Sequence, residues 1–331
     1  MELDGNTFGE ILAAAAEEGA SDVFLSEGKP MFCRQAGRMK KIGQQELTKE
    51  ALCKFFFQIT CREQQTRYLK YREVDFTWEA APWRFRVHVF RQQGRISFAL
   101  RILPRRIPAL GELGQAGLVQ QFMDYGDGLL LVTGATGAGK TTTVAAFLAE
   151  VGRRREYHIL TLEDPVEYVY PSGRCLFSQQ ELGGDFVDYA SGIVSAMREN
   201  PDVIMIAELR DGAACAAALS AASSGHYVIA TMHTGGAVET VERFISMFPV
   251  EQQELAQSML ASSLRGICSQ KLFRGRDGRQ YCGAELLHSN NAVANIIRKG
   301  KYEQLKSVMQ SGADAGMQTM EMAVDKLYEY L

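Results

Sequence analysis

The stretch LLLVTGATGAGKTTTVAAFLAEVG, Leu129 to Gly152, decides how the rest of the chain is read. Leu129–Val132 is a short apolar strand, GATGAGKTT (Gly134 to Thr142) fits G-x-x-x-x-G-K-[ST], and VAAFLAEVG continues as a helix. Glycines in such a turn let the backbone wrap a phosphate, with N–H groups pointing inward beside the positive end of the helix. Gly134, Ala135, Thr136, Gly137, Ala138, Gly139, Lys140, Thr141 and Thr142 are therefore the candidate cradle for a nucleotide. In this motif the lysine, here Lys140, reaches the β- and γ-phosphates, and the following hydroxyl, Thr141, ligates Mg²⁺.

Outward from the loop, further apolar runs alternate with helical patterns: Tyr157–Leu162, Asp202–Ala207 and His226–Thr231. Continuous apolar strands with helices between them predict a parallel sheet covered on both faces. Two of these strands run into acids, Glu163-Asp164-Pro165 and Glu208. Ligands of open α/β sheets sit outside the carboxyl ends of the strands, so both glutamates are expected beside the phosphate loop. Hydrolysis there needs a group to orient or deprotonate water and something to hold a metal. A lone strand-end acid is commonly a solvated turn residue; two beside one phosphate loop make the stronger pattern. Neither strand has an aspartate where the magnesium ligand usually stands, which points to a metal held partly through water. His233 closes a fourth strand, where it senses a γ-phosphate, contacts a neighbouring subunit, or simply packs.

The residues before the loop have a different texture. Phe8, Ile11, Leu12 and Ala15 recur at helical spacing before Gly19, short strands follow at Asp22–Ser26 and Met31–Arg34, and a helix is expected after Thr48. Further on, Phe85, Val87 and Val89 alternate with Arg84, Arg86 and His88, the pattern of a half-buried antiparallel hairpin. Arg86 and Arg101 lie on its two arms and read, by themselves, as solvated strand arginines. LPRRIPALGELG, Leu103–Gly114, reads as a linker between a first domain over 1–102 and a second over 115–331. In the second, RGRDGRQ (Arg274–Gln280) is expected to turn a hairpin, with three helices after it near Asn290–Lys299, Tyr302–Gln310 and Met317–Tyr330.

Composition agrees with two ordinary globular domains: 331 residues, 46% hydrophobic, net charge −3. So small a charge argues against a dedicated nucleic-acid binder. The seven cysteines include no C-x-x-C pair, which speaks against zinc and for reduced thiols in the cytoplasm. The first residues are acidic and lack the basic start of a secretory signal, and no apolar run is long enough to span a membrane. Basic clusters at Arg153–Arg155 and Arg298–Lys301 read as solvated helix ends.

Taken together, these segments resemble the secretion ATPase superfamily, and within it the type IV pilus retraction (twitching motility) ATPases. GASDVFLSEGKP near the N-terminus, LEDPVEY (Leu162–Tyr168), RENPDVIMIAELRD (Arg198–Asp211), GHYVIATMHT (Gly225–Thr234) and MQTMEMAV (Met317–Val324) carry the resemblance, in the family's order. It implies a RecA-like P-loop domain preceded by a smaller PAS-like α+β domain, assembled as a homo-hexameric ring that binds ATP and Mg²⁺. It further implies Glu163 as the water-activating base, Glu208 as the metal-associated acid, His233 as the His-box residue, and Arg86 and Arg101 as arginines that reach the nucleotide. The expected partner is a pilus-platform protein at the cytoplasmic face of the inner membrane. The absence of an extra N-terminal domain and of a Cys₄ insertion favours retraction over extension. Three departures stand against the family pattern: Ala294 where an arginine is expected, Lys299 where a glutamate is, and HTGGA in place of HTNDA or HTTSA. A motor for pilus extension, type II secretion or DNA uptake, or a weakly hydrolysing accessory subunit, remains the alternative.

Overall fold

Phe85, Val87 and Val89 are fully buried while Arg84, Arg86 and His88 between them are only partly so, as alternation on a one-sided strand requires. That strand belongs to the first of two compact units of the computed structural model, Met1–Arg106 and Ile107–Leu331. Residues 5–171 and 173–331 are described; the acidic start read at residues 1–4 lies outside them.

The first unit runs α1 (Gly5–Glu17), β1 (Ala20–Ser26), β2 (Met31–Gln35), β3 (Arg38–Ile42), α2 (Lys49–Ile59), α3 (Arg62–Tyr71), β4 (Glu73–Ala80), β5 (Trp83–Gln92) and β6 (Arg95–Ile102). Its six strands form an antiparallel sheet in the order β3-β2-β1-β6-β5-β4. Phe8 and Leu12 of α1 and Leu52 and Phe55 of α2 pack with Val23, Val87 and Phe98 of the sheet. Thr48 caps α2 by accepting from the Ala51 N–H at 3.2 Å. The expected hairpin proves to be a three-stranded meander, β4-β5-β6. Neither β3 nor α3 is foreseen. RMKKI forms an exposed edge strand with no apolar alternation, and REQQTRYLKY buries a single residue, Tyr68.

The second unit opens with a 3₁₀ stretch, Leu110–Phe122, and continues as β7 (Gly128–Gly134), α4 (Lys140–Arg154), β8 (His158–Glu163), β9 (Leu176–Glu181), α5 (Tyr189–Ala196), β10 (Val203–Ile206), α6 (Gly212–Ser223), β11 (Tyr227–Met232), α7 (Ala237–Ser246), α8 (Val250–Ser263), β12 (Leu264–Arg274), β13 (Gln280–His288), α9 (Asn291–Arg298), α10 (Leu305–Ser311) and α11 (Met320–Asp325). Seven strands lie in the order β13-β12-β7-β11-β10-β8-β9, parallel except for the β12-β13 hairpin. Separate apolar clusters cover the two faces, so the central strands are buried throughout. Gly278 turns the hairpin with φ +80°. The stretch read as a linker, 103–114, straddles the division at Arg106. Its start is tied to the first unit by the Leu103 N–H donating to the Arg84 carbonyl (2.8 Å), and its end is already helical in the second. The last helix is shorter than expected at both ends: Gln318 exchanges backbone hydrogen bonds with Leu286 (2.7 and 3.0 Å) before α11 begins, and the chain continues as turns after Asp325.

Candidate nucleotide site

β7 delivers the chain into the phosphate loop, and the loop's glycines are conformational requirements. Gly134 has φ +148°, and a Cβ there would lie 2.5 Å from the Gln270 carbonyl oxygen. Gly137 and Gly139 adopt φ +79° and +88°, a region unfavourable to other residues. Gly139 immediately precedes α4, so the first N–H groups of that helix border the loop.

Lys140, the first residue of α4, is buried; its Nζ donates to the carbonyls of Gly134 (2.8 Å) and Ala135 (3.1 Å) and to His233 Nδ1 (3.2 Å). An ammonium has no lone pair, so Nδ1 accepts and Nε2 carries the hydrogen that faces Glu208 Oε1 at 3.3 Å. Glu208 Oε2 accepts from Arg210 Nε at 2.9 Å, and the Arg210 guanidinium lies 3.8 Å from the Asp164 carboxyl. A continuous polar chain, Lys140–His233–Glu208–Arg210–Asp164, thus links the phosphate loop to the carboxyl ends of β11, β10 and β8. Burial lowers the pKa of Lys140, and the field of Glu208 opposes that shift.

Glu163 ends β8 with only 4% of its surface exposed. One carboxyl oxygen accepts from Thr161 Oγ1 (2.6 Å) and from Gln179 Nε2 (3.0 Å). Burial pushes its pKa up to about 7; the two hydrogen bonds oppose that shift and nearby Glu167 adds to it. Thr141 is exposed in the first turn of α4, and the Thr142 hydroxyl lies 3.1 Å from that of Tyr168. A cavity of about 540 Å³ adjoins the loop at Ala138, Gly139, Thr142 and Thr143 and extends to Gly114 and Gln270.

The structure therefore brings Lys140, His233 and Glu208 together through one hydrogen bond and one close ion-pair contact, with Asp164, the neighbour of Glu163, at the far end of the chain. Arg86 and Arg101 lie in the first unit, directly opposite each other on β5 and β6 and on the sheet face away from Val87 and Leu100. With Asp22, His88 and Ala99 they line a hollow of about 230 Å³, where Arg101 Nε donates to Asp22 Oδ1 at 3.2 Å. Arg210, Gln179 and Tyr168 are the site residues that sequence reading passes over. Arg210 stands two residues beyond Glu208 in a segment already singled out, whereas Gln179 lies on β9, an edge strand too polar to foresee.

A phosphate loop and strand-end carboxyl groups at one edge of a parallel sheet are the arrangement of a P-loop nucleoside triphosphatase. Residues 7–327 match the Type II/IV secretion system protein family, and the chain belongs to it. It is 36% identical over 319 residues to the type IV pilus retraction ATPase PilT of Pseudomonas aeruginosa, covering 96% of this chain and 93% of that one. It is 40% identical over 315 residues to the uncharacterised protein YggR of Escherichia coli strain K12, covering 95% and 96%. The crystal structure of the pilus retraction motor PilT with bound ADP superposes with a TM-score of 0.90 at 36% identity, covering 97% of this chain and 92% of that one. Because the likeness spans both units, the fold is a RecA-like P-loop domain preceded by a smaller PAS-like α+β domain.

Proposed function

We propose that this chain is the ATP-hydrolysing motor of type IV pilus retraction, working as a homo-hexamer against a platform protein at the cytoplasmic face of the inner membrane. The observation that carries the reading is the Lys140–His233–Glu208 chain at the phosphate loop, with a buried carboxyl, Glu163, on the neighbouring strand. Lys140 leaves the loop carbonyls for the β- and γ-phosphates, and base and ribose occupy the adjoining cavity. Glu163 takes the proton of the attacking water, a role suited to a pKa near the working pH. His233 lies within hydrogen-bond reach of Lys140 and Thr136, and so registers whether the lysine faces the loop or a phosphate.

The oxygen donors of Thr141 and Glu208 fit a hard cation such as Mg²⁺. Thr141 offers an exposed hydroxyl that would ligate the ion, and because both oxygens of Glu208 are engaged by Arg210 and His233, Glu208 would hold it through water. An ion held there would neutralise charge on the phosphate oxygens. Arg86 and Arg101 add cations to the nucleotide, as family likeness implies. No helix among the described residues is long and apolar enough to cross a membrane, which is compatible with work at a membrane face.

A deletion strain separates retraction from the related motors. Surplus surface pili, counted by electron microscopy and returned to normal by the intact gene, are the expected result. Loss of pili would assign the chain to extension, and an unchanged count would remove it from pilus dynamics.

A further inference from the structure

Two glycines, Gly235 and Gly236, follow His233-Thr234, and the structure gives them a use. A Cβ at Gly235 would lie 3.0 Å from Glu239 Oε2, and one at Gly236 would lie 3.1 Å from Glu285 Oε1. Both carboxyl groups close on the backbone at this turn: Glu239 Oε2 accepts from the Gly235 N–H, and Glu285 Oε1 accepts from the Ala237 N–H, each at 2.6 Å. Thr234 is held from the other side by its hydroxyl contact with Thr240 (2.7 Å). The turn that carries His233 out of β11 is thus pinned at three points.

Glu285 also has a second hold. Its Oε2 accepts from the Met320 N–H at 3.1 Å. Ala237 is the first residue of α7 and Met320 the first of α11, positions whose N–H groups have no partner inside their own helices. One carboxyl, 9% exposed on β13, therefore satisfies two such groups from segments far apart in the chain. The segment before Met320 is seated on the same strand: besides its backbone bonds to Leu286, Gln318 donates through Nε2 to the Ala284 carbonyl (2.7 Å).

We propose that Glu285 is a positioning residue for His233, coupling the placement of the His233 turn to the seating of the C-terminal segment Met317–Asp325. The proposal rests on the reading of His233 as part of the nucleotide site. The turn is short, and only Thr234, Gly235 and Gly236 separate His233 from the residue whose N–H Glu285 holds. A shift of α11 pulls on one carboxyl oxygen and is felt at the other, so whatever moves the C-terminal segment changes the distance from His233 to Lys140. A buried group bonded to two elements transmits displacement because leaving either donor unsatisfied is costly.

The test is a double-mutant cycle on the full-length protein, read as steady-state ATP turnover. Glu285→Gln keeps one acceptor and turns an amide NH₂ on the other N–H. It is expected to lower kcat by about tenfold with the KM for ATP little changed. In a His233→Ala background the same substitution is expected to cost less than about twofold, since the group it positions is gone. Equal losses in both backgrounds, or no loss in the wild-type background, would overturn the proposal. If His233→Ala alone turned over ATP at the wild-type rate, the reading of His233 would fall, and the proposal with it. Should Glu285→Gln fail to fold, Met320→Pro breaks only the C-terminal arm. Proline suits the first position of a helix, and Thr319 before it is extended (φ −80°, ψ 164°). Met320→Pro should reproduce the fall in kcat and Met320→Ala, which keeps the N–H, should not; equal rates in these two variants would also overturn the coupling.

Discussion

A carboxyl group with a pKa near 7 keeps its proton where an unfolded glutamate has already lost it, and Glu163 is such a group. Between pH 4.5 and 7 the folded chain binds more protons at this site than the unfolded chain. The stability this contributes is complete below the unfolded pKa and is lost as pH rises through the folded one. For a rise from 4.5 to about 7, the full effect is on the order of 3 kcal/mol. Glu163→Gln removes the titration, so urea unfolding from about pH 4.5 to about pH 7.5 should show the variant gaining on the wild type by that order as pH rises. A difference independent of pH would mean that Glu163 is ionised in its folded setting. The identity of this residue was legible, because an acid closing an apolar strand beside a phosphate loop stands out. Its burial was not, since that depends on neighbours such as Gln179, brought alongside by the pairing of β9 with β8. Lys140, Glu208 and His233 were legible for the same reason of position. That they bond to one another, with Arg210 closing the chain, is set by tertiary placement and leaves no pattern along the sequence.

At the scale of elements, the strands that build the site's edge were the readable ones. β7, β8, β10 and β11 are rich in apolar residues because helices cover both of their faces, and burial on both sides leaves a mark in composition. β9 is only partly buried at the sheet edge, and β12 begins at Leu264 directly after α8 ends at Ser263, with no turn residue to announce the change. β12 nonetheless anchors the sheet through a close approach. A Cβ on Gly266 would fall 2.0 Å from the ring of Phe122, which is fully buried against this strand. Gly266→Ala forces that ring or the strand to move and should destabilise the second unit by about 2–3 kcal/mol in chemical denaturation. Gly111→Ala, with nothing within 4 Å of the added methyl, should change it by less than about 0.5 kcal/mol. Comparable losses in the two variants would deny the tight contact. The structure also gives Ala294 a reason: it is 9% exposed and packs within the core under α9, where a small side chain fits, while Lys299 lies exposed at that helix's end.

Across the whole molecule, an antiparallel unit that displays Arg86 and Arg101 and a parallel unit that holds the phosphate loop are encoded by two textures of sequence, alternating and continuous. The change of texture is read within Leu103–Gly114, the stretch that contains the division at Arg106. Assembly and direction of pilus movement are properties of many copies and of partners, and leave no comparable periodic signal in one chain. Steady-state Mg²⁺-dependent ATP hydrolysis by the purified full-length protein tests the catalytic machinery of the chain most directly. Turnover should fall by about 10²-fold or more in both Lys140→Ala, which removes the phosphate-binding cation, and Glu163→Gln, which removes the base. Turnover at the wild-type rate in either variant would contradict the catalytic role of the residue replaced.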